Sequence, residues 1–289
     1  MNASSAPATG VTGSLIFKVV FVVAGAAAIY ATYKFLFVSE LKKVVILQDI
    51  YEATQKPFVA DSSVLPPLHE GGEYSVSFWL YVQDVNYKPN TNKEVITLGN
   101  RSSDDGQITL GAYLDARENT LHVRVNSVNC AAPPAATSVS APATVQNPNC
   151  MTYGNYKQLF TSPMSMTGPD TYMDCSVTPI LYQRWTHVVI TLNSRTVDTY
   201  VDGKLARSCV LNGVYKVDNA SAKRTLEFAG SGGFGGFCSG IAAYDYALNP
   251  EQVYRSYMQG PLGEVGVWDY IKSFINPKSI GTLDYPKRN

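Results

Sequence analysis

Residues Trp185–Arg207 read WTHVVITLNSRTVDTYVDGKLAR and contain a clearly marked hairpin. The run Thr196–Val201 meets Asp202-Gly203 and returns as Lys204–Arg207. Asp-Gly supplies the positive φ angles that a two-residue hairpin turn needs. The preceding apolar run is rich in β-branched residues and is the expected neighbouring strand. The stretch therefore predicts an antiparallel meander of three strands.

Similar short runs occupy most of the chain after residue 70. Tyr74–Val82 reads YSVSFWLYV and places Val76, Phe78 and Leu80 on one face, which is the period-two pattern of a strand. Nine strands with almost no helix between them predict an all-β antiparallel sandwich. The other predicted strands are Glu94–Leu98, Gln107–Leu114, Thr120–Val128, Trp185–Leu192, Thr196–Val201, Lys204–Leu211, Thr225–Phe228 and Phe237–Tyr246.

Composition excludes several classes of protein. The 289 residues include 23 basic and 23 acidic side chains, so no net charge attracts nucleic acid. With 19 Tyr and 11 Phe the chain has enough aromatic residues for a core, which argues against disorder. Five cysteines without a Cys-x-x-Cys pair indicate neither a zinc site nor a thioredoxin-like motif.

The N-terminal region predicts one transmembrane helix. Residues Leu15–Val38 are apolar apart from Lys18 and Lys34, and 24 residues at ~1.5 Å each cross a ~30 Å hydrocarbon layer. We expect a tail at 1–13, a helix at 14–38 and a linker at 39–60, whose first part fits either a prolonged helix or a paired strand. A cleaved signal peptide and a buried core helix are the alternatives. Lys42 and Lys43 add positive charge after the helix, so the positive-inside rule places the C-terminal part on the cytosolic side.

Four ordered motifs resemble one known family. They are FWLYV (Phe78–Val82), QRWTHVVITL (Gln183–Leu192), TYVDGKL (Thr199–Leu205) and GGFCSGIAAYDYALNPEQV (Gly235–Val253). The succession resembles laminin-G-like, concanavalin A-like jelly-roll domains over residues 61–260. The resemblance implies a jelly-roll fold and a short helix after the last strand, but no particular function. Residues 129–182 depart from the family pattern as a long insertion, which is typical of a contact or functional loop.

The resemblance also implies a disulfide between Cys209 and Cys238, because laminin G modules carry a bond near these positions. Cys130, Cys150 and Cys175 all lie in the insertion, and the sequence does not choose among their pairings. The alternative is that all five cysteines are reduced and buried. A cytosolic domain favours that alternative, so the topology and the disulfide prediction conflict.

No motif indicates catalysis or a cofactor. Glycoside hydrolases of this fold need two carboxylates on one strand, and no Glu-x-Asp-x-x-Glu run occurs. His187 is expected to be a packed strand residue, and the glycine-rich residues 230–236 to be a turn. We therefore predict a protein that is not an enzyme and has no metal site. Calcium, which related domains hold with loop carboxylates, is the alternative; the candidate ligands are Asp104, Asp105, Asp170, Asp174 and Asp218.

Residues 261–289 predict a C-terminal helix and an extended arm. Trp268, Ile271 and Phe274 lie near one side of that helix, and Pro277 ends it. Such a face can pack on its own domain, on a membrane or on another protein. We treat these three residues as candidate partner contacts.

Two functions from different classes follow. The first is a non-enzymatic structural protein, because the architecture resembles membrane-anchored minor capsid proteins of large double-stranded DNA viruses. Its partners are a lipid bilayer and other shell proteins. Its location is the internal virion membrane, with the C-terminal jelly-roll head, residues 61–260, facing the capsid shell. The alternative is a membrane-displayed lectin-like or adhesion protein that stacks sugars on Tyr153, Tyr156 or Tyr172. Neither function involves nucleic acid.

Overall fold

The computed structural model describes residues 10–37, 42–128, 151–161, 175–218 and 223–262. The chain divides into two compact units, residues 1–41 and 42–289. The first unit contains helix α1, Gly10–Phe37. Among the described residues, no helix reaches both the length and the hydropathy that a membrane span requires. The predicted bound Leu15 lies within α1, whereas Val38 lies outside the described residues.

The second unit is built almost entirely of strands. All nine strands predicted from the sequence are present, with ends shifted by a few residues. In chain order the elements are β1 Lys43–Leu47, β2 Tyr51–Glu52, β3 Phe58–Asp61, β4 Glu73–Asp84, β5 Lys93–Asn100, β6 Ile108–Leu114, β7 Leu121–Val125, α2 Tyr153–Thr161, β8 Trp185–Asn193, β9 Thr196–Val201, β10 Lys204–Val210, β11 Arg224–Phe228, β12 Gly235–Tyr244 and α3 Pro250–Gln259.

These strands form two antiparallel sheets. Sheet A has the order β1-β12-β4-β8-β9-β10, with β2 also paired to β12. Sheet B has the order β3-β11-β5-β6-β7. The meander β8-β9-β10 is confirmed, and its turn has φ angles of 49° at Asp202 and 77° at Gly203. The all-β antiparallel sandwich predicted from the alternating runs is therefore confirmed.

The main hydrophobic core lies between the two sheets. Val76, Phe78 and Leu80 of β4 point into it and are essentially buried. Phe78 meets Phe228 of sheet B edge to face, with ring centroids 5.3 Å apart, which is a favoured aromatic geometry. The other face of β4 carries Trp79 and is also buried, so the strand is not half-exposed as its pattern predicts. Helix α3 lies on that outer face.

The predicted boundary at residue 61 is wrong. The supposed linker at 39–60 contributes β1 and β2 to sheet A and β3 to sheet B. The apolar pattern of Val44–Leu47 fits a helix as well as a strand. Its partner strand, β12, lies about 200 residues away in the sequence. The sandwich therefore begins at β1.

The insertion contributes a helix and an added edge segment. In α2 the Tyr156 ring packs over Gly111 of β6, where a Cβ atom would approach Cε2 of that ring to 2.5 Å. Val177 exchanges backbone hydrogen bonds of 2.9 and 3.0 Å with Leu121 at the outer edge of β7. Residues 129–150 and 162–174 lie outside the described part of the chain.

The disulfide predicted between Cys209 and Cys238 is wrong. Cys209 of β10 bonds to Cys175, and Cys238 of β12 is a buried free thiol whose pKa rises to about 12 because of burial. Three strands separate β12 from β10 in sheet A, which places them about 19 Å apart at ~4.8 Å per strand. A disulfide spans only ~4.4–6.8 Å between Cα atoms. Cys130 and Cys150 lie outside the described residues.

Candidate functional site

A cleft opens on the outer face of sheet A, beside helix α3. Asn249 caps the helix: its side chain accepts from the Gln252 amide at 2.9 Å, and the Gln252 side chain accepts from the Asn249 amide at 3.0 Å. Val253 then packs with Val189 and Ala242 of the sheet in a second apolar cluster. Between the end of α3 and strand β1 a cleft of about 240 Å³ remains.

The cleft is lined by aromatic, small and polar side chains. Its floor comes from β4 and β12, one wall from β1 and the residue after it, and the other wall from the end of α3. Compared with the ~300–1,000 Å³ of sites for drug-sized ligands it is small, so it suits one ring-sized group. The lining residues are Lys43, Val45, Gln48, Ser77, Trp79, Gly240, Ala242, Tyr244, Ser256, Gln259 and Gly260.

Trp79 forms the aromatic part of the floor. Its ring stacks on Tyr257 of α3, with centroids 5.8 Å apart and planes inclined by 19°. The Cδ1–Nε1 edge of the indole lies over Gly240, where a Cβ atom would come within 2.8 Å of Cδ1. Gly240 also has a φ angle of +59°. Glycine fits this position because it adopts positive φ readily and has no Cβ atom to clash with the indole.

His187 contacts the cleft through Ser256. Its Nε2 lies 3.2 Å from Ser256 Oγ, and its ring packs against Trp79 at 4.9 Å between centroids. The Nδ1 atom is buried, and no hydrogen-bond partner for it occurs in the described part of the chain. Burial lowers the pKa of His187 to about 4, which makes the imidazole a weak base. A nucleophilic triad needs a third group that orients the histidine, and these contacts do not supply one. The prediction that His187 is a packed strand residue is confirmed.

Because His187 is buried, we expect the free energy of unfolding to depend on pH. The unfolded chain binds a proton near pH 6.5, whereas the folded chain does so only near pH 4. The folded state therefore loses stability as the pH falls through this interval. We expect the Tm of the wild type to fall more than that of His187→Gln between about pH 7 and about pH 4. Parallel thermal unfolding curves for the two proteins would contradict this assignment.

An aromatic row continues the outer face beyond the cleft. Tyr81 lies two residues along β4 from Trp79, opposite Trp185 of β8 and Phe237 of β12. Its ring centroid is 5.5 Å from that of Trp185 and 6.2 Å from that of Phe237. All three side chains are partly exposed. The row gives this face partly exposed aromatic rings, whereas Trp79 in the floor of the cleft is 6% exposed.

Sheet B carries a carboxylate pair that no sequence motif indicates. Arg101 binds Glu94 through Nη1 and lies 3.1 Å from Glu227 through Nε. Glu94 also accepts from Thr97, and from Ser231 Oγ at 2.5 Å. Burial raises the pKa of Glu227. The charge of Arg101 lowers this pKa, whereas the charge of Glu94 raises it further. Because the two glutamates lie on different strands, no motif spacing could reveal them.

Among the described residues, the predicted sugar-stacking and calcium-binding side chains are not assembled into such sites. Tyr156 is buried in the α2 interface, which is at odds with the stacking role expected of it, and the Tyr153 ring is occupied by Arg101 at 4.8 Å. Asp104 pairs with Lys157 at 2.6 Å, and Asp218 accepts from Gln107. Within the described ranges, no group of three His, Cys, Asp or Glu could hold a metal. Tyr172, Asp170, Asp174, Trp268, Ile271 and Phe274 lie outside the described residues.

A family comparison supports the fold. Residues 152–254 match the family model of the concanavalin A-like lectin/glucanases superfamily. No curated protein sequence matches the chain. Similar solved structures include the ligand-binding domain of botulinum neurotoxin serotype D in complex with N-acetylneuraminic acid (12% identity, TM-score 0.44, 76% of this chain, 46% of that chain). The serotype G binding domain is similar at 10% identity and TM-score 0.44, covering 75% of this chain and 46% of that chain.

This chain spans less than half the length of those two structures. At TM-scores of 0.44 they carry no argument about this chain. The two antiparallel sheets form an all-β sandwich, and the family match over residues 152–254 supports a concanavalin A-like fold for it.

Proposed function

We propose that this chain is a glycan-binding protein of the lectin type and that the cleft beside α3 holds a sugar ring. The observation that carries the proposal is the composition of the cleft. An indole forms part of its floor, and hydroxyl and amide groups surround it. A sugar ring presents apolar C–H groups to an aromatic edge and hydroxyls to such polar groups, so the lining matches it.

The polar groups stand at defined places around the cleft. Gln48 lies on one wall, and its amide donates to the Leu262 carbonyl at 3.2 Å. Ser256 lies on the opposite wall, fixed by His187. Ser77 lies on the floor, 3.5 Å from the Tyr244 hydroxyl. Donors and acceptors therefore face the cleft from three sides, as oriented binding of a polyhydroxylated ring requires.

Blocking the cleft tests this proposal. Val45 is 53% exposed on the edge strand of sheet A and lines the cleft, so Val45→Trp fills the opening without disturbing the core. Val59 is 48% exposed on the edge strand of sheet B and gives the matched control, Val59→Trp. We expect the full chain to bind on a glycan array, in a detergent without a sugar headgroup. Val45→Trp should lose binding by about tenfold or more, equivalent to ~1.4 kcal/mol.

Val59→Trp should bind like the wild type, because its new ring lies on the other sheet. Equal binding by both variants would place the ligand elsewhere, and the absence of any glycan signal from the wild type would refute the function. Thermal unfolding of both variants checks that each is folded.

Membrane attachment and the shell role stay predictions from the sequence. The apolar segment Leu15–Val38 predicts that the protein stays in the membrane pellet after alkaline extraction. Location in a virion, with the head facing a capsid shell, predicts that head peptides resist protease until the shell is opened. Release by alkaline extraction would contradict the first prediction, and immediate cleavage on intact particles the second.

A further inference from the structure

We infer that the sugar bound in the cleft is anionic and that Lys43 recognises its carboxylate or sulfate group. This inference rests on the proposed function and specifies its ligand. Of the eleven described residues that line the cleft, Lys43 alone is charged, and it is cationic. A neutral sugar would leave that cation without a role, whereas an anionic sugar would complement it.

Position and register place the Lys43 ammonium at the cleft. Lys43 pairs with Tyr244 across β1 and β12, and its Nζ lies 5.8 Å from the centre of that ring. Val45, two residues along β1, also lines the cleft, as the period of a strand requires. The cation–π contact holds a flexible side chain beside the opening.

The nearby carboxylates do not neutralise Lys43. Within the described ranges no carboxylate lies within ion-pair distance of its Nζ. Asp245 accepts the backbone N–H of Lys42 at 2.8 Å instead. On α3, Glu251 pairs with Arg255 at 2.6 Å. An anionic ligand group is therefore the partner that the charge distribution favours.

Matched glycan pairs test the inference. The full chain is titrated with a neutral oligosaccharide and with the same oligosaccharide carrying either a carboxylated or a sulfated sugar. Because the lysine is exposed, we expect about three- to fivefold tighter binding of one anionic form. The preference should shrink as ionic strength rises from about 0.01 to about 0.1 M, since screening shortens from ~30 to ~10 Å. The carboxylated and sulfated arms distinguish the two sources of charge.

Lys43→Gln should abolish the preference and keep the binding of the neutral glycan. Lys42→Gln removes the same charge one residue away, at a position that does not line the cleft, and should keep the preference. Equal affinity for neutral and anionic forms would overturn the inference while leaving the proposed function intact. Equal losses of the anionic preference in Lys43→Gln and Lys42→Gln would also overturn it, because they would indicate a general effect of positive charge on this surface. Failure of every glycan to bind would overturn both.

Discussion

Replacing Cys209 by serine lowers the free energy of unfolding by about 3–4 kcal/mol, the loop-closure value for a disulfide across 34 residues. Cys209 lies on β10, one edge of sheet A. Cys175 donates its backbone N–H to Val123 at the outer edge of β7 in sheet B. The bond therefore joins the edges of the two sheets. The Tm should fall by about 10 °C.

Denaturant unfolding of the full chain, with and without reductant, measures this loss. Cys238→Ala is the control, because its buried thiol makes no disulfide and its removal costs only about 1 kcal/mol. A proteolytic peptide in which Cys209 is linked to Cys238 would contradict the assignment. The Cys175–Cys209 bond implies folding or later oxidation in an oxidising compartment, which conflicts with a head kept in the cytosol.

Arg101→Met lowers the stability by about 3–5 kcal/mol at neutral pH, because it leaves a buried carboxylate without its cation. The Glu94 side chain has no solvent exposure and depends on Arg101, Thr97 and Ser231. As a control, Arg255→Met breaks an ion pair in which both side chains are more than 70% exposed. That change should cost less than about 1 kcal/mol.

One further measurement separates loss of charge pairing from loss of packing. Adding Glu94→Gln to the Arg101→Met protein should restore part of the stability, since it removes the isolated charge. No recovery of stability in the double variant would contradict the electrostatic explanation.

The sequence predicts what local patterns determine. The alternation of apolar and polar residues located all nine strands of the 73–244 region, and the Asp202-Gly203 pair located the hairpin turn. The helix after the last strand followed from the family resemblance. These features depend on residues close together in the chain.

Features that depend on long-range pairing were missed. Strand β1 was interpreted as a linker because its partner β12 follows some 200 residues later. The disulfide was misassigned because strand order within sheet A is not encoded in any short motif. The cleft needs β1, the centre of β4, the bulged end of β12 and the end of α3 together, so no single segment indicates it.

The most direct test of the glycan site is hydrogen exchange of the full chain, measured with and without a saturating glycan. We predict slower exchange in peptides from β12 near Gly240, from β1 and from the last turn of α3, because a bound sugar excludes water from the cleft. Peptides from α2 and the loop around Asp104 should not change. Protection confined to α2 and that loop, with none around Gly240, would contradict the account.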